Sequence, residues 1–556
     1  MILVISMGCN TPPPQTTQTL TLMDSLVVAN DANVENYLGR QQTDPDSKWL
    51  GGIPDQYGIY NAGSVASIMQ RLAVSFVQDA SIFHHSDTLL HRMMLAADFM
   101  LKYQHEDGTI DLLSTNFHSP PDLAFAVERI ALCYRLLEAD GSSDVAPLRA
   151  KLKDFLLKGG EALVVGGIHT PNHRWVVSMA LSWLYELFGD ERYKSRIDEW
   201  LQEKIDIDED GQFTERSSSV YSPLTDRCLL TIARLLDRPD LYDPVRQNLQ
   251  MTMYYLHPNG EVVTEASRRQ DQYQAKFPST YYFPYRYMAQ LDQDGSFGAM
   301  VNLLEQQLNK TQLSASLIYV LTDPNAESSY PIGELPVDYT KHFPESTLAR
   351  VRKDDLDATI LANNPAFFTM HNGSAVLQAV RLASSFFGKG QFKADTLIVE
   401  SDKYILKQSL EGPYYQPYPV NLLPEDGDWK KMPKSNRPQS EVQFLEAVVE
   451  VEKTEDGFRL GFDISGTDHV PVALELAFRK GGRLDGVVAA PVGGNSFLLE
   501  GTRGTFEQDG SKITFGPRLQ EHKWTQLRGA DPKIDASSVY ITGFTPFEYQ
   551  LTLTCD

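Results

Sequence analysis

Apolar positions recur at helical spacing from about residue 58 to about residue 310. Val65, Ile68, Leu72 and Phe76 follow the i, i+3, i+4 rule. So do Leu89, Met93, Ala96 and Met100, and again Leu123, Val127, Ile130, Tyr134 and Leu137. Further amphipathic runs cover about 145–158, 172–188, 192–203, 222–236, 241–256 and 296–308. Short connections rich in Gly, Pro and Asp join them, as expected for antiparallel helical hairpins. So many hairpins suit an α/α toroid, an incomplete barrel of helical pairs, better than a four-helix bundle.

After about residue 335 the period changes to two. Phe367-Phe-Thr-Met, Ala375–Leu382, Ala447–Glu452 and Phe458–Ile464 alternate, and Lys453-Thr-Glu-Asp-Gly457 reads as a hairpin loop. Val472–Phe478, Ser496–Glu500 and Tyr549–Thr554 continue the series. This half reads as an antiparallel β-sandwich. Helices first and strands second, without interleaving, imply separate domains rather than a doubly wound sheet. The expected division is an N-terminal signal and linker over 1–24, a toroid over 25–325 and a β-sandwich over 326–556.

The chain has 556 residues, of which 42 % are hydrophobic, enough for large cores in two or three domains. No apolar run of the ~20 residues needed to cross a bilayer occurs, which excludes a polytopic membrane protein. The formal net charge is −23, which excludes a nucleic-acid binder with a broad basic face. The four cysteines, Cys9, Cys133, Cys228 and Cys555, show no zinc spacing, and no metal site is expected. Cys133 and Cys228 fall in apolar helical patterns and read as buried thiols. Cys9 differs. Ser6-Met-Gly-Cys9 resembles a bacterial lipobox, preceded by a short apolar stretch and followed by a Thr/Pro/Gln-rich linker. The expectation is a lipoprotein of the periplasm or outer membrane, whose only membrane contact is a lipid on Cys9.

The candidate chemistry lies in loops. In Gly166-Gly-Ile-His-Thr-Pro-Asn-His-Arg-Trp175, Thr170 is a natural N-cap and Pro171 suits the first helical position. Asn172, His173 and Arg174 then occupy the first turn, where unpaired N–H groups and the helix dipole attract a carboxylate. The same field favours the neutral imidazole of His173, the form that accepts a proton. A second stretch, Asp206–Tyr221, is a long polar loop with three serines before Tyr221. Asp206, Asp208, Asp210 and Gly211 imitate the start of a calcium loop, but its twelfth position is Ser217 instead of Glu, so a solvated acidic turn is expected. The loop Ser114–Asp122 offers Asn116 and His118, and His371 stands at a strand end in the β half.

These residues together resemble the polysaccharide lyases related to heparinase II/III and to the oligoalginate lyases. The marks are Asn172-His173 at a helix start, Glu215–Tyr221 one hairpin later, Asn116–Asp122 upstream and His342-Phe-Pro-Glu-Ser opening the β half. The resemblance implies a helical toroid followed by a β-domain, no cofactor, and an acidic poly- or oligosaccharide as partner. It implies Tyr221 and His173 as the acid/base pair, with either order open, Asn172 as neutraliser of a uronate carboxylate, and His371 reaching in from the β-domain. Asn116 and His118 would help bind substrate. Arg174 departs from the family pattern and would strengthen carboxylate binding or take over one of the named roles. The implied reaction is β-elimination at a 4-linked uronate: a base takes the C5 proton, the neutralised carboxylate stabilises the enolate-like intermediate, and an acid protonates the O4 leaving group. The acidic net charge favours a carboxylate-only glycan over a long sulfated polymer. Rhamnose–glucuronate ends of arabinogalactan are one such substrate among families of this architecture.

Two other classes use the same sequence differently. A glycoside hydrolase on an α/α barrel needs a carboxylate pair at ~5–5.5 or ~6.5–9.5 Å, for which Asp208, Asp210, Glu215 and Asp226 are candidates. A non-catalytic surface glycan-binding lipoprotein needs exposed aromatic platforms, with Tyr414, Tyr415, Tyr418 and Trp429 as candidates.

Overall fold

The computed structural model describes residues 21–325 and 328–555. The lipobox and Cys9 lie outside the described residues. The described residues form thirteen α-helices before any long strand: α1 (Leu22–Arg40), α2 (Ala62–Val77), α3 (Asp87–Lys102), α4 (Pro120–Asp140), α5 (Ala146–Val165), α6 (His173–Phe188), α7 (Glu191–Gln202), α8 (Tyr221–Leu236), α9 (Tyr242–Tyr254), α10 (Tyr282–Asp292), α11 (Gly295–Gln307), α12 (Lys310–Leu313) and α13 (Leu317–Leu321). A short hairpin, β1 (Ile110–Leu112) and β2 (Asn116–Ser119), precedes α4.

Local signals explain the boundaries. Asn61 caps α2 by accepting from Ser64 N at 2.8 Å. Ser119 caps α4, two prolines fill its first turn, and it ends at Gly141 with φ +71. The periodic residues Leu123, Val127, Ile130 and Leu137 are all buried. Cys133 and Cys228 are buried inside α4 and α8, as expected. The sequence pattern missed α1, whose polar and apolar residues are mixed around the axis, and α10, whose apolar face is made of tyrosines. No helix among the described residues is long and apolar enough to cross a membrane.

The strands that follow are β3 (Asp338–Phe343), β4 (Leu348–Lys353), β5 (Leu356–Leu361), β6 (Phe368–Asn372), β7 (Ala375–Ser384), β8 (Thr396–Glu400), β9 (Lys403–Tyr415), β10 (Gln439–Lys453), β11 (Gly457–Gly466), β12 (Pro471–Phe478), β13 (Arg483–Asp485), β14 (Val487–Ala489), β15 (Ser496–Leu499), β16 (Gly504–Gln508), β17 (Ser511–Gly516), β18 (Ser537–Phe544) and β19 (Phe547–Cys555). They build two sheets, in the orders β13-β16-β17-β19-β11-β10-β9-β8 and β14-β15-β18-β12-β7-β6-β5-β4-β3. All pairs are antiparallel except β15 with β18. One apolar core is shared by the sheets, with Leu382, Leu474 and Ile541 from one and Leu406, Val449, Leu460 and Leu551 from the other. This is a β-sandwich. The hairpin foreseen at Lys453–Gly457 joins β10 to β11, and at Gly457 a Cβ would collide with the Leu553 carbonyl.

The described residues divide into two compact units. One holds residues up to His169, Val176–Glu199 and the helices from Leu308. The other holds Thr170–Trp175, Trp200–Gln307 and everything from Ser328 onward. In this second unit Met251, Tyr255, Val262 and Val263 pack on Phe343, Leu348 and Leu361, so α9 and its following loop share a core with β3–β5.

Candidate active site

Tyr221 is the first residue of α8, and two loops of the second unit fix it: 204–220 before α8 and 255–281 between α9 and α10. The serine triplet has a structural purpose. Asp271, 1 % exposed, accepts from Ser217 Oγ (3.0 Å), Ser219 N (3.0 Å), Ser219 Oγ (3.0 Å) and Ser267 Oγ (3.1 Å). Ser218 Oγ donates to Val263 O at 2.6 Å. Ser217 Oγ in turn accepts from Tyr221 N at 3.2 Å. The seam therefore sets where α8 begins. On the phenol, Gln270 Nε2 donates to Oη at 3.0 Å, and the Arg269 guanidinium lies 5.3 Å from the ring centroid. Arg269 Nε is 3.2 Å from Glu215 Oε2, while the buried Glu215 Oε1 has no hydrogen-bond partner among the described residues. A phenol, a cation, an amide donor and a carboxylate thus meet at one point. Sequence reasoning missed Arg269, Gln270 and Asp271. The dense polar run Ser267–Gln272 in an otherwise helical region was their only signal.

The Asn-His-Arg triplet differs from its expected geometry. Thr170 does not cap a helix; its hydroxyl donates to Asn172 Oδ1 at 2.6 Å. Tight i→i+3 turns from Thr170, Pro171 and Asn172 carry the chain into α6, which starts at His173. Asn172 is 2 % exposed and its Nδ2 has no hydrogen-bond partner among the described residues, so a buried amide donor is left for a ligand. Arg174 is not available to a substrate carboxylate. It is buried, donates to Asp206 Oδ1 at 2.7 Å, to Glu203 Oε2 at 3.2 Å and to the carbonyls of Pro171 and Lys204, and lies over the Trp175 ring. Its charge is already neutralised within the fold.

His371 lies on β6 opposite Asp357 of β5. It stands next to the end of β6, as expected, but its ring is buried and lies flat on His257, centroids 3.8 Å apart, at 3 % exposure. Around them runs a buried charge network. Arg350 donates to both Asp357 oxygens and to Thr359, His257 Nδ1 is 2.6 Å from Asp357 Oδ2, and Thr359 and Thr369 donate to Glu265. Burial would lower His257, but the Glu265 and Asp357 carboxylates outweigh it and hold it raised. Burial and then the His257 charge push His371 well below its ordinary value, so it is neutral. For Asp357 burial is outweighed by Arg350 and His257, which hold it low. Both rings line a pocket with Glu261, Tyr273, Gln378 and Arg479.

Asn116 and His118 belong to the other compact unit. Asn116 Nδ2 donates to Asp122 Oδ2 at 2.9 Å and braces the start of α4. His118, at φ +47, is stacked on His105 and held by Asp107 at 2.8 Å, with its ring exposed. In the acidic loop, Asp208 Oδ1 accepts from Asp210 N and Gln212 N, and Asp210 accepts from Ser346 N at 2.7 Å. These carboxylates build a turn. Among the described residues no group of three or more His, Cys, Asp or Glu side chains is arranged to hold a metal ion. Tyr414 and Trp429 are exposed, whereas Tyr418 is buried and hydrogen-bonded to Asn436.

No family model matches the sequence, and no curated protein matches it. Solved structures do. Heparinase III is 12 % identical, with 98 % of this chain and 85 % of that chain aligned, at a TM-score of 0.57. A Paenibacillus xanthan lyase is 12 % identical over 96 % of this chain, at 0.61; this chain spans 57 % of that protein. Chondroitin AC lyase of Streptomyces coelicolor A3, in complex with chondroitin sulphate, is 14 % identical over 99 % of this chain and 80 % of that chain, at 0.54. The chain therefore has the fold of the α/α-toroid polysaccharide lyases, a helical region followed by an antiparallel β-sheet region.

Proposed function

We propose that this protein is a polysaccharide lyase that cleaves a 4-linked uronic acid by β-elimination and leaves a 4,5-unsaturated uronate. The observation that carries the reading is the Tyr221 cluster, built on the fold of such lyases: a phenol receives a hydrogen bond from Gln270 and lies under the Arg269 guanidinium. Because Gln270 is the donor, the phenol O–H can point to substrate. Tyr221 and His173 move the protons at C5 and O4. The buried Asn172 amide, already oriented by Thr170, binds the uronate carboxylate as charge spreads onto it. The substrate is an acidic glycan whose charges are carboxylates, in keeping with a chain of net charge −23; rhamnose–glucuronate chain ends are one candidate. A lipid on Cys9 would hold the enzyme at a periplasmic or outer-membrane surface, where such glycans arrive.

The test is a screen of uronate glycans for the ultraviolet absorbance of the C4–C5 double bond. New reducing ends without that absorbance would make the protein a hydrolase and reject the reading. On an active substrate, Tyr221→Phe removes one oxygen and should lower the rate by ~10²–10⁴ while leaving the fold intact. A fully active Tyr221→Phe would remove Tyr221 from the chemistry.

A further inference from the structure

The two loops that hold Tyr221 also enclose a second cavity. Glu215 and Arg269 turn to Tyr221, whereas their chain neighbours Arg216 and Arg268 line a separate cavity of about 40 Å3, with Gln212, Tyr255, Ser346 and Asn363 on its wall. Arg268 N donates to Arg216 O at 2.7 Å, which ties the two arginines' backbones together. Among the described residues no Asp or Glu lines this cavity, and the acid whose charge acts on Tyr255, Asp210, does so from behind the wall. Arg216 reaches one acid, Asp208, at 3.5 Å, and donates to Glu345 O at 2.6 Å. Arg268 makes no ion pair among the described residues. Its guanidinium is lowered by desolvation and by the charge of Arg216, so the two cations feel each other. Gln212 Oε1, Tyr255 Oη and Ser346 Oγ are buried together at the cavity; the phenol lies within reach of the other two, but none of the three makes a hydrogen bond of ordinary length and angle. Two wall residues, Arg216 (φ +44) and Asn363 (φ +55), are held in the left-handed region, a conformation that costs energy unless the surroundings impose it.

Two cations on one wall with no shared acid, beside hydroxyls whose own hydrogen bonds are poorly formed, make a site for an oxyanion. The space suits one acidic group and not a whole sugar. We propose that Arg216 and Arg268, with Tyr255 and Ser346, form an anion-binding subsite that takes a carboxylate or sulfate group of an acidic glycan. Its placement on the loops of Tyr221 makes it a specificity element: it selects glycans that carry a further acidic group beyond the one at the reacting sugar. That role in a glycan rests on the lyase reading; the anion site itself does not.

The test therefore reads binding rather than turnover. The full-length protein is titrated calorimetrically with sodium sulfate, and in a second arm with sodium glucuronate, at ionic strength matched with chloride. Saturable binding at one site is expected in at least one arm, and the tighter arm names the oxyanion. Arg268 is exposed, so Arg268→Gln should fold normally, as a matching circular-dichroism melt would verify; it should weaken binding about tenfold or more, the effect of losing a charged hydrogen bond. Arg268→Lys should recover part of it. Tyr221→Phe should bind the anion as the wild type does, even if no glycan is ever cleaved. Failure of both anions to bind would overturn the proposal. So would undiminished binding in Arg268→Gln, or loss of binding in Tyr221→Phe, which would move the anion to the Tyr221 cluster.

Discussion

Removing the Asp271 carboxylate should open the seam between the two site loops. It accepts four hydrogen bonds, three of them at Oδ2. In Asp271→Ala the three serine hydroxyls can rotate to one another, at a loss of ~0.5–1 kcal/mol each, but the Ser219 N–H stays buried without a partner and costs ~1–3 kcal/mol. The sum is ~2.5–6 kcal/mol. Asp271→Asn is milder. Its carbonyl can take the Oδ2 position and keep three donors, while its amide faces Ser217 Oγ, which can accept as it already does from Tyr221 N. About 1–2 kcal/mol is expected there, for the lost charge. Hydrogen-exchange mass spectrometry over residues 215–222 and 264–274 reads this opening directly. The Ala variant should exchange about a hundredfold faster or more in both segments together, and the Asn variant about tenfold faster. Activity should fall with it, since a shift of ~1 Å in a reacting group can cost ~10²-fold. Unchanged exchange in the Ala variant, or faster exchange in one segment only, would refute the idea that this carboxylate joins the loops.

Three further outcomes follow from the same geometry. Asp208→Asn keeps the Oδ1 that accepts from Asp210 N and Gln212 N, so turnover should be unaffected; a folded but inactive variant would point to a hydrolase. His371 is depressed in the folded state, so below the unfolded value of 6.5 the unfolded chain takes a proton that the native chain refuses. Stability should fall as pH drops from there toward the folded value, and His371→Gln should flatten that slope in denaturant titrations. Asp226 is the reverse case: it is fully buried, neither oxygen has a hydrogen-bond partner among the described residues, and burial pushes it well above 3.8. Its contribution is complete below 3.8 and is lost as pH rises toward the folded value, so Asp226→Asn should gain stability over wild type at neutral pH and show no such loss.

What the sequence reveals follows the range of the interactions. Helices α2–α9 and α11 and the β10–β11 hairpin are legible because burial repeats at a fixed period along one segment. Strands β4 and β5 are not, because their buried faces hold Arg350, Asp357 and Thr359, which a hydrophobic pattern reads as surface. Arg174 reads as a ligand group because the first turn of a helix attracts a carboxylate. Asp206, in the acidic stretch beyond α7, consumes its charge instead, and no local rule announces that pairing. Tyr221 was legible as an odd tyrosine after three serines. Its partners Arg269 and Gln270 were not, since loops carry no period and these lie 48 and 49 residues further on.

The same loops also explain why the serine triplet and the arginine pair occur together. A loop that presents alternate residues to opposite sides can serve two cavities only if its own backbone is held from within. Asp271 supplies that hold for 217–219 and 267, and the Arg268 N–H to Arg216 carbonyl bond extends it by one residue on each strand. Glu215 and Arg269 then face the phenol, while Arg216 and Arg268 face the second cavity. Neither set of side chains can shift without the other. A substitution in the seam should therefore weaken anion binding and proton transfer together, whereas Arg268→Gln and Tyr221→Phe should each affect only its own cavity. That contrast separates a shared scaffold from two sites that merely lie close in sequence.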